Sequence, residues 1–236
     1  YKIPATLPPL SKTTAPSNPI FKIEAKLKNI LSNNGYNEIY NSSLVSKSLI
    51  ETCNLVPSDH LRLTNCLSED LEYLRTSLVP SALQNHANNK GKTSKNINIF
   101  EIANVYLPQS DKKLPNEIST LTFSSNTNIL DVKSILEKIF IQLNYQNYNF
   151  TQPSSSNKTY FDPQNSADIY LNNELIGQIG EIKTSILRSF GLTETISMVE
   201  INISKIENLK PVLNFQPISE YPDLKFHITA SSSLSI

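Results

Sequence analysis

The sequence predicts an α+β fold, an antiparallel sheet flanked by helices, on three observations. Ile97 to Leu107, INIFEIANVYL, carries apolar side chains on odd positions (Ile97, Ile99, Ala103, Val105) and on even ones (Phe100, Ile102, Tyr106), as a strand buried inside a sheet does. Antiparallel partners follow nearby: Glu117 to Phe123 reads as the returning strand. Ala167 to Leu171 and Glu174 to Ile182 form a hairpin about Asn172-Asn173, residues that tolerate the positive φ of a tight turn. Two stretches, Ile20 to Leu31 and Val132 to Leu143, repeat apolar residues every three or four positions, the stripe of a helix lying on a core.

Bulk numbers bound the function. With 236 residues and 39% hydrophobic content the chain builds a sizeable core. Its 21 basic and 21 acidic residues cancel, which argues against a main nucleic-acid surface. Arg62, Arg75 and Arg188 are the only arginines. Cys53 and Cys66 are too few and too far apart for a disulfide framework or a zinc site. No apolar run is long enough to span a bilayer, so the expected compartment is the cytoplasm, with no membrane partner. The chain opens on Tyr1 and is read as a piece of a longer polypeptide.

Tyr1 to Pro9, with three prolines, is extended. Ser17-Asn18-Pro19 starts the first helix, whose stripe is Ile20, Ile23, Leu27, Ile30 and Leu31, and Gly35 stops it. Tyr36 to Val45 reads as a strand, Lys47 to Leu55 as a short helix or turn, and Leu61 to Thr64 as a strand. Asn65 to Leu83 reads as an acidic turn followed by a helix carrying Leu74, Leu78, Ala82 and Leu83, with Pro80 inside it as a kink. Asn85 to Lys95 is a polar loop whose lysines Lys90, Lys92 and Lys95 are read as solvated rather than as phosphate contacts. Asp131 caps the second long helix, and Tyr148 to Gln152 is a strand ahead of a Ser-rich loop. Thr184 to Phe190 is a short helix stopped by Gly191, Ile196 to Ile203 is a strand, and Lys205 to Gln216 is a linker. In Ile176-Gly177-Gln178-Ile179-Gly180-Glu181 the glycines are read as letting neighbouring backbone pass close.

Several of these segments carry a resemblance. Asn65, Leu67, Ser68, Leu74, Arg75, Thr76, Ser77, Leu78 and Pro80, then Phe100-Glu101-Ile102, then the Ile-Gly-x-Ile-Gly-Glu stretch, resemble the beta subunit of bacterial-type phenylalanyl-tRNA synthetase. The similar part is its catalytic-like module, built like a class II aminoacyl-tRNA synthetase core but without catalytic residues. Departures from the family pattern are Asp162 and Asn165, where relatives carry His and Arg, Ser134 in place of Gly, and Phe226-His227 in place of an Arg-Asp pair.

The resemblance implies a layout: residues 1–13 as a linker from a preceding domain, 14–205 as the module, 206–217 as a second linker, and 218–236 as the truncated start of a ferredoxin-like anticodon-binding domain. It implies that the first helix packs between subunits, with Ile20, Ile23, Leu27, Ile30 and Leu31 as candidate interface residues. It implies partners: a catalytic alpha subunit, a second alpha-beta pair, and tRNA(Phe) through the whole assembly. ATP and Mg2+ would serve the whole enzyme and be bound outside this chain.

Chemistry agrees with a non-catalytic module. Adenylate formation needs cations on the phosphates of ATP, and arginine supplies them through its planar fork of donors. No arginine lies between Arg75 and Arg188, so the motif 2-like segment Ile97 to Phe123 lacks its phosphate ligand, and Lys112 and Lys113 are weak substitutes. The scattered histidines His60, His86 and His227 read as surface or loop residues. No catalytic or metal-ligating residue is expected. Arg75, Glu101, Gly177 and Gly180 are read as structural, with Arg75 anchoring a buried carboxylate, Glu101 or Glu69. The rival readings are an active class II ligase domain and a stand-alone tRNA-binding module.

Overall fold

The computed structural model describes residues 18–209 except Leu67, 93–95, 111–113 and 154–158. The proline-rich opening, Ser17, Lys95, Lys112, Lys113, most of the Ser-rich loop, His227 and the ferredoxin-like start therefore lie outside the described residues.

Pro19–Asn33 forms α1. Asn18 caps it by accepting the amide of Ile20, and Pro19 occupies the first turn, where no amide donor is needed. Gly35 ends it at φ +83, the left-handed conformation a helix stop requires. The single strand expected at Tyr36 to Val45 divides. Asn37–Glu38 is β1 and Leu44–Val45 is β2, in different sheets. Lys47–Thr52 is α2.

The stretch Asn65 to Leu83 also divides. Glu69–Leu71 is a 3-10 turn, Tyr73–Leu74 is β3 and pairs with β2, and only Val79–Asn89 is helical, as α3. Pro80 thus sits in the first helical turn and kinks nothing. Leu74 belongs to a strand because its partner Leu44 is distant in sequence, a pairing that helical periodicity cannot reveal. Asn85 to Asn89, expected in a loop, continue the helix. The expected strand at Leu61 to Thr64 is one bridge, Arg62 to Tyr73.

Asn98–Leu107 is β4, Asn116–Ser125 is β5, and Ile129–Gln142 is α4. Asn128, not Asp131, caps α4, accepting from the amides of Leu130 and Asp131. Tyr148–Thr151 is β6, Phe161–Leu171 is β7 and Glu174–Ile182 is β8. Thr184–Ser189 is α5 and Ser197–Asn202 is β9. Asn172 and Asn173 take φ of 50 and 65 at the β7–β8 turn. Ile203–Asn208 is α6, where a linker was expected; Ile206 is fully buried, and the Tyr145 hydroxyl donates to the carbonyls of Ile206 and Leu209.

One seven-stranded sheet dominates, in the order β1-β4-β5-β9-β8-β7-β6. Its pairs are antiparallel except β1 with β4, which run parallel. One face packs Phe100, Leu121, Phe123, Val199 and Ile201 against the buried side of α1 (Leu27, Leu31) and of α4 (Leu136, Ile139, Phe140). The other face carries a second apolar cluster, in which Ile99, Ile182 and Met198 meet Val79 and Leu83 of α3 and Ile186 of α5.

Candidate functional site

Registers across five strands place a row of polar residues on this second face. Glu101 opposes Thr122, Thr122 opposes Glu200, Glu200 opposes Gln178, and Gln178 opposes Asp168. Opposed residues of antiparallel strands point to the same side, so the three carboxyl groups share one surface. All three are nearly inaccessible to solvent. A buried charge is costly unless it is paired and hydrogen-bonded, and the chain supplies partners from outside the sheet.

Arg75 supplies the first. It leaves β3 with its amide bonded to the carbonyl of Ser43 and its carbonyl bonded to the amide of Tyr106, which fixes it beside β4. Its Nη1 donates to Oε1 of Glu101 at 2.8 Å and to the carbonyl of Ser42, and its Nε to the carbonyl of Asn104. Asn41 donates to the other oxygen of Glu101 at 2.7 Å. Glu69, the alternative carboxylate, is exposed in the 3-10 turn.

Glu200 is held by neutral donors. Ser77 Oγ and the amide of Leu78 donate to Oε1 at 2.8 and 2.9 Å, and the Tyr160 hydroxyl donates to Oε2 at 2.8 Å. Burial, and next the charge of Glu200, push the Tyr160 hydroxyl well above the ordinary tyrosine range, so it keeps the proton it donates. Gln178 donates to Asp168 at 2.6 Å.

Where β4 ends and β5 begins, a groove of about 190 Å³ opens on the same face, lined by Thr76, Val105, Ile118, Thr120 and Asn202 beside Glu200. No lysine or arginine lines it among the described residues. The groove does not fit ATP with Mg2+: its ionisable group is a carboxylate already engaged by three donors, and among the described residues no three His, Cys, Asp or Glu side chains gather as metal ligands.

The glycines read as structural sit at close approaches. An added Cβ at Gly177 would lie 2.1 Å from the carbonyl oxygen of Glu200 on β9. At Gly180 it would meet side chains, Ser166 Cβ at 2.7 Å and Phe161 Cδ1 at 2.8 Å, rather than the backbone expected there. On α1, Leu27, Ile30 and Leu31 are buried in the chain's own core, and Ile20 and Ile23 pack half-buried against it. Within this chain the stripe packs on its own sheet, as an apolar stripe beside a sheet does. Phe21 is the large apolar residue that α1 leaves outward, 65% exposed, and Tyr40 beyond β1 is 80% exposed. Lys28 joins the two elements, pairing with Glu38 at 2.6 Å and donating to the Tyr40 hydroxyl. Asp162 accepts the amide of Gln164, and Asn165 donates to Glu181.

Two histidines depart from their surface reading. His60, 8% exposed, sits between the carbonyl of Val56 and the hydroxyl of Thr76. His86, 1% exposed, bonds Ser124 Oγ through Nε2. Burial drives the His86 pKa down to about 4, partly opposed by the charge of Glu194. The sign follows. Above pH 6.5 both folded and unfolded chains hold His86 neutral; below it the unfolded chain binds a proton that the folded chain excludes until about pH 4. His86→Asn is therefore expected to remove roughly 3 kcal/mol of the stability lost between pH 7 and pH 4. Urea unfolding of both proteins across that range measures it, other titrating groups cancelling in the comparison.

Cys53 is buried, which pushes its thiol up to about 12 and leaves it inert at neutral pH. The roles of Ser77, Tyr160 and Glu200 escaped the sequence reading. The available signal was Glu200 between Val199 and Ile201, a carboxylate on an otherwise apolar strand.

Comparison with known proteins gives consistent results. The family model described as Phenylalanyl tRNA synthetase beta chain CLM domain matches residues 3–203. Curated relatives named Phenylalanine--tRNA ligase beta subunit include one from Fusobacterium nucleatum, 27% identical over 245 positions covering 94% of this chain and 30% of the relative. Another, from Clostridium tetani, is 27% identical and covers 85% of this chain and 26% of the relative. The chain thus spans under a third of these relatives. Among solved structures, pyrrolysyl-tRNA synthetase from Desulfitobacterium hafniense superposes with a TM-score of 0.65 at 15% identity, over 79% of this chain and 67% of that one, a likeness of fold.

Proposed function

The chain belongs to the phenylalanyl-tRNA synthetase beta-chain family, over its CLM domain, and from that premise we propose that it is a class II-like core whose work is architectural. It holds a catalytic alpha subunit in place, with a second alpha-beta pair completing a heterotetramer, in a cytoplasmic ligase that joins phenylalanine to tRNA(Phe) using ATP and Mg2+ bound elsewhere in the assembly. Among the described residues no helix is long and apolar enough to cross a membrane. The module extends past residue 205 through α6, whose Ile206 is buried in its core, and the sequence beyond Leu209 leads into the start of an anticodon-binding domain.

The observation that carries this reading is the carboxyl row. A nucleotide on this face would bring phosphate charge against Glu101, Glu200 and Asp168. The one guanidinium within reach, that of Arg75, is committed to Glu101. Like charges in a poorly solvated site repel strongly, and an adenylating site needs the opposite sign. The expected result is no ATP–pyrophosphate exchange by the chain alone, and a stable complex of defined mass when it is co-expressed with an alpha subunit. Exchange above background by the isolated chain overturns the reading.

The outward side of α1 is the proposed contact, since its inner stripe is consumed by the core. Phe21 and Tyr40 are the anchors. Changing both to Asp is expected to weaken alpha-subunit binding by at least about 30-fold, the scale of an interface hot spot, with the thermal midpoint of the free chain unchanged. Isothermal titration with purified alpha subunit, paired with melting of the variant, measures both.

A further inference from the structure

At the opposite end of the β4–β5 hairpin from the groove lies a separate cavity of about 160 Å³. It is bounded by the end of α3, the residues preceding β4, those following β5, and the segment between α5 and β9. We propose that this cavity binds a planar heterocycle bearing an acidic substituent, the chemical class of a nucleoside monophosphate.

His86, Ile97 and Leu192 supply its less polar lining, suited to a flat ring. Asn126 and Glu194 line another part and are joined to each other, the Asn126 amide donating to Glu194 Oε2 at 2.6 Å. The carbonyl oxygen of that amide accepts the backbone amide of Ile97 at 2.7 Å, which fixes Asn126 in place and leaves the second oxygen of Glu194 as the acceptor facing the cavity. A base edge that carries an N–H group finds an acceptor there, in the Glu194 carboxylate.

Two further observations point to a ligand. The Nδ1 atom of His86 is buried and has no hydrogen-bond partner among the described residues. Such orphaned groups are rare in folded proteins and call for an explanation. Lys90 borders the cavity and spends one of its three ammonium protons on the carbonyl of Gly191 at 2.6 Å, leaving two for an anion. Lys92, two residues on, is exposed and adds to the positive charge of the same turn. A compact charged group beside a ring-sized cavity matches a phosphate one sugar away from a base.

Titration of the full chain with AMP, GMP, CMP and UMP in turn, and with a short unstructured RNA, tests the proposal by NMR of the isotope-labelled protein. The expected result is saturable shifts of the amides around Asn126, Leu192 and Glu194. Either source of the ligand supports the site: mononucleotides alone identify a free nucleotide, and RNA binding at least as tightly per site identifies a chain end or loop. Lys90→Glu and Glu194→Leu, both at exposed positions, are each expected to weaken binding about tenfold, the loss of one charged hydrogen bond. His86→Asn tests the floor, its folding checked by the unfolding measurement above. No saturable shift at these amides with any of the five probes, or affinities unchanged in both Lys90→Glu and Glu194→Leu, overturns the proposal.

Discussion

Glu101→Ala is expected to destabilise the chain by about 3–5 kcal/mol, lowering its thermal midpoint on the order of 10 °C. The side chains of Arg75 and Glu101 are 3% and 2% exposed, so the substitution leaves a guanidinium without a counter-charge and without water. It also removes the acceptor for the Asn41 amide, which in turn accepts from Asn85 on α3. The damage thus reaches from β4 to the helix that covers this face. Arg75→Ala is expected to cost a similar amount. Arg75→Lys is expected to recover only part of it, because one ammonium cannot reach Glu101, Ser42 and Asn104 together. Replacing both Arg75 and Glu101 by apolar residues of similar volume is expected to cost less than either single alanine, since no charge is then stranded. Urea unfolding of the four variants decides this: a double replacement as costly as the sum of the singles would sink the account.

The second large effect is expected at Gly177. A Cβ there would lie 2.1 Å from the carbonyl oxygen of Glu200, 2.7 Å from the Cα of Ile201 and 2.8 Å from its Cγ2. Two of these three atoms are backbone of the paired strand and cannot rotate away. Gly177→Ala must therefore push β8 from β9 and shift the strand that presents Glu200 to Ser77, Leu78 and Tyr160. The expected cost is about 3 kcal/mol or more, at or beyond the upper end of ordinary overpacking. Gly180→Ala, meeting the side chains of Ser166 and Phe161, is expected to cost less. Hydrogen exchange localises the effect. Amides of β8 and β9 should lose protection in Gly177→Ala before those of β4, and uniform loss across the sheet would point to general unfolding instead.

Legibility in the sequence followed the range of the forces involved. Helices α1 and α4 and the β7–β8 turn were readable because their signals are local: a stripe repeating with the helical turn, and two asparagines at positive φ. The stretch before α3 was misread because Leu74 satisfies helical spacing by coincidence while its true partner, Leu44, is thirty residues away. His86 was misread for a related reason. A polar residue near a helix end looks solvated until β5 and the segment before β9 close over it.

By itself the amino-acid sequence determined the fold class, the family, and the absence of arginine from the motif 2-like hairpin. The fold class followed from periodicity, which is local, and the family from the resemblance of short motifs that lie in order along the chain. Only the tertiary structure decided that Arg75 serves Glu101, that Glu200 rests on Ser77, Leu78 and Tyr160, and that the stripe of α1 is spent on its own sheet. Those are choices among distant partners, made by strand register and by the cost of leaving a buried charge alone.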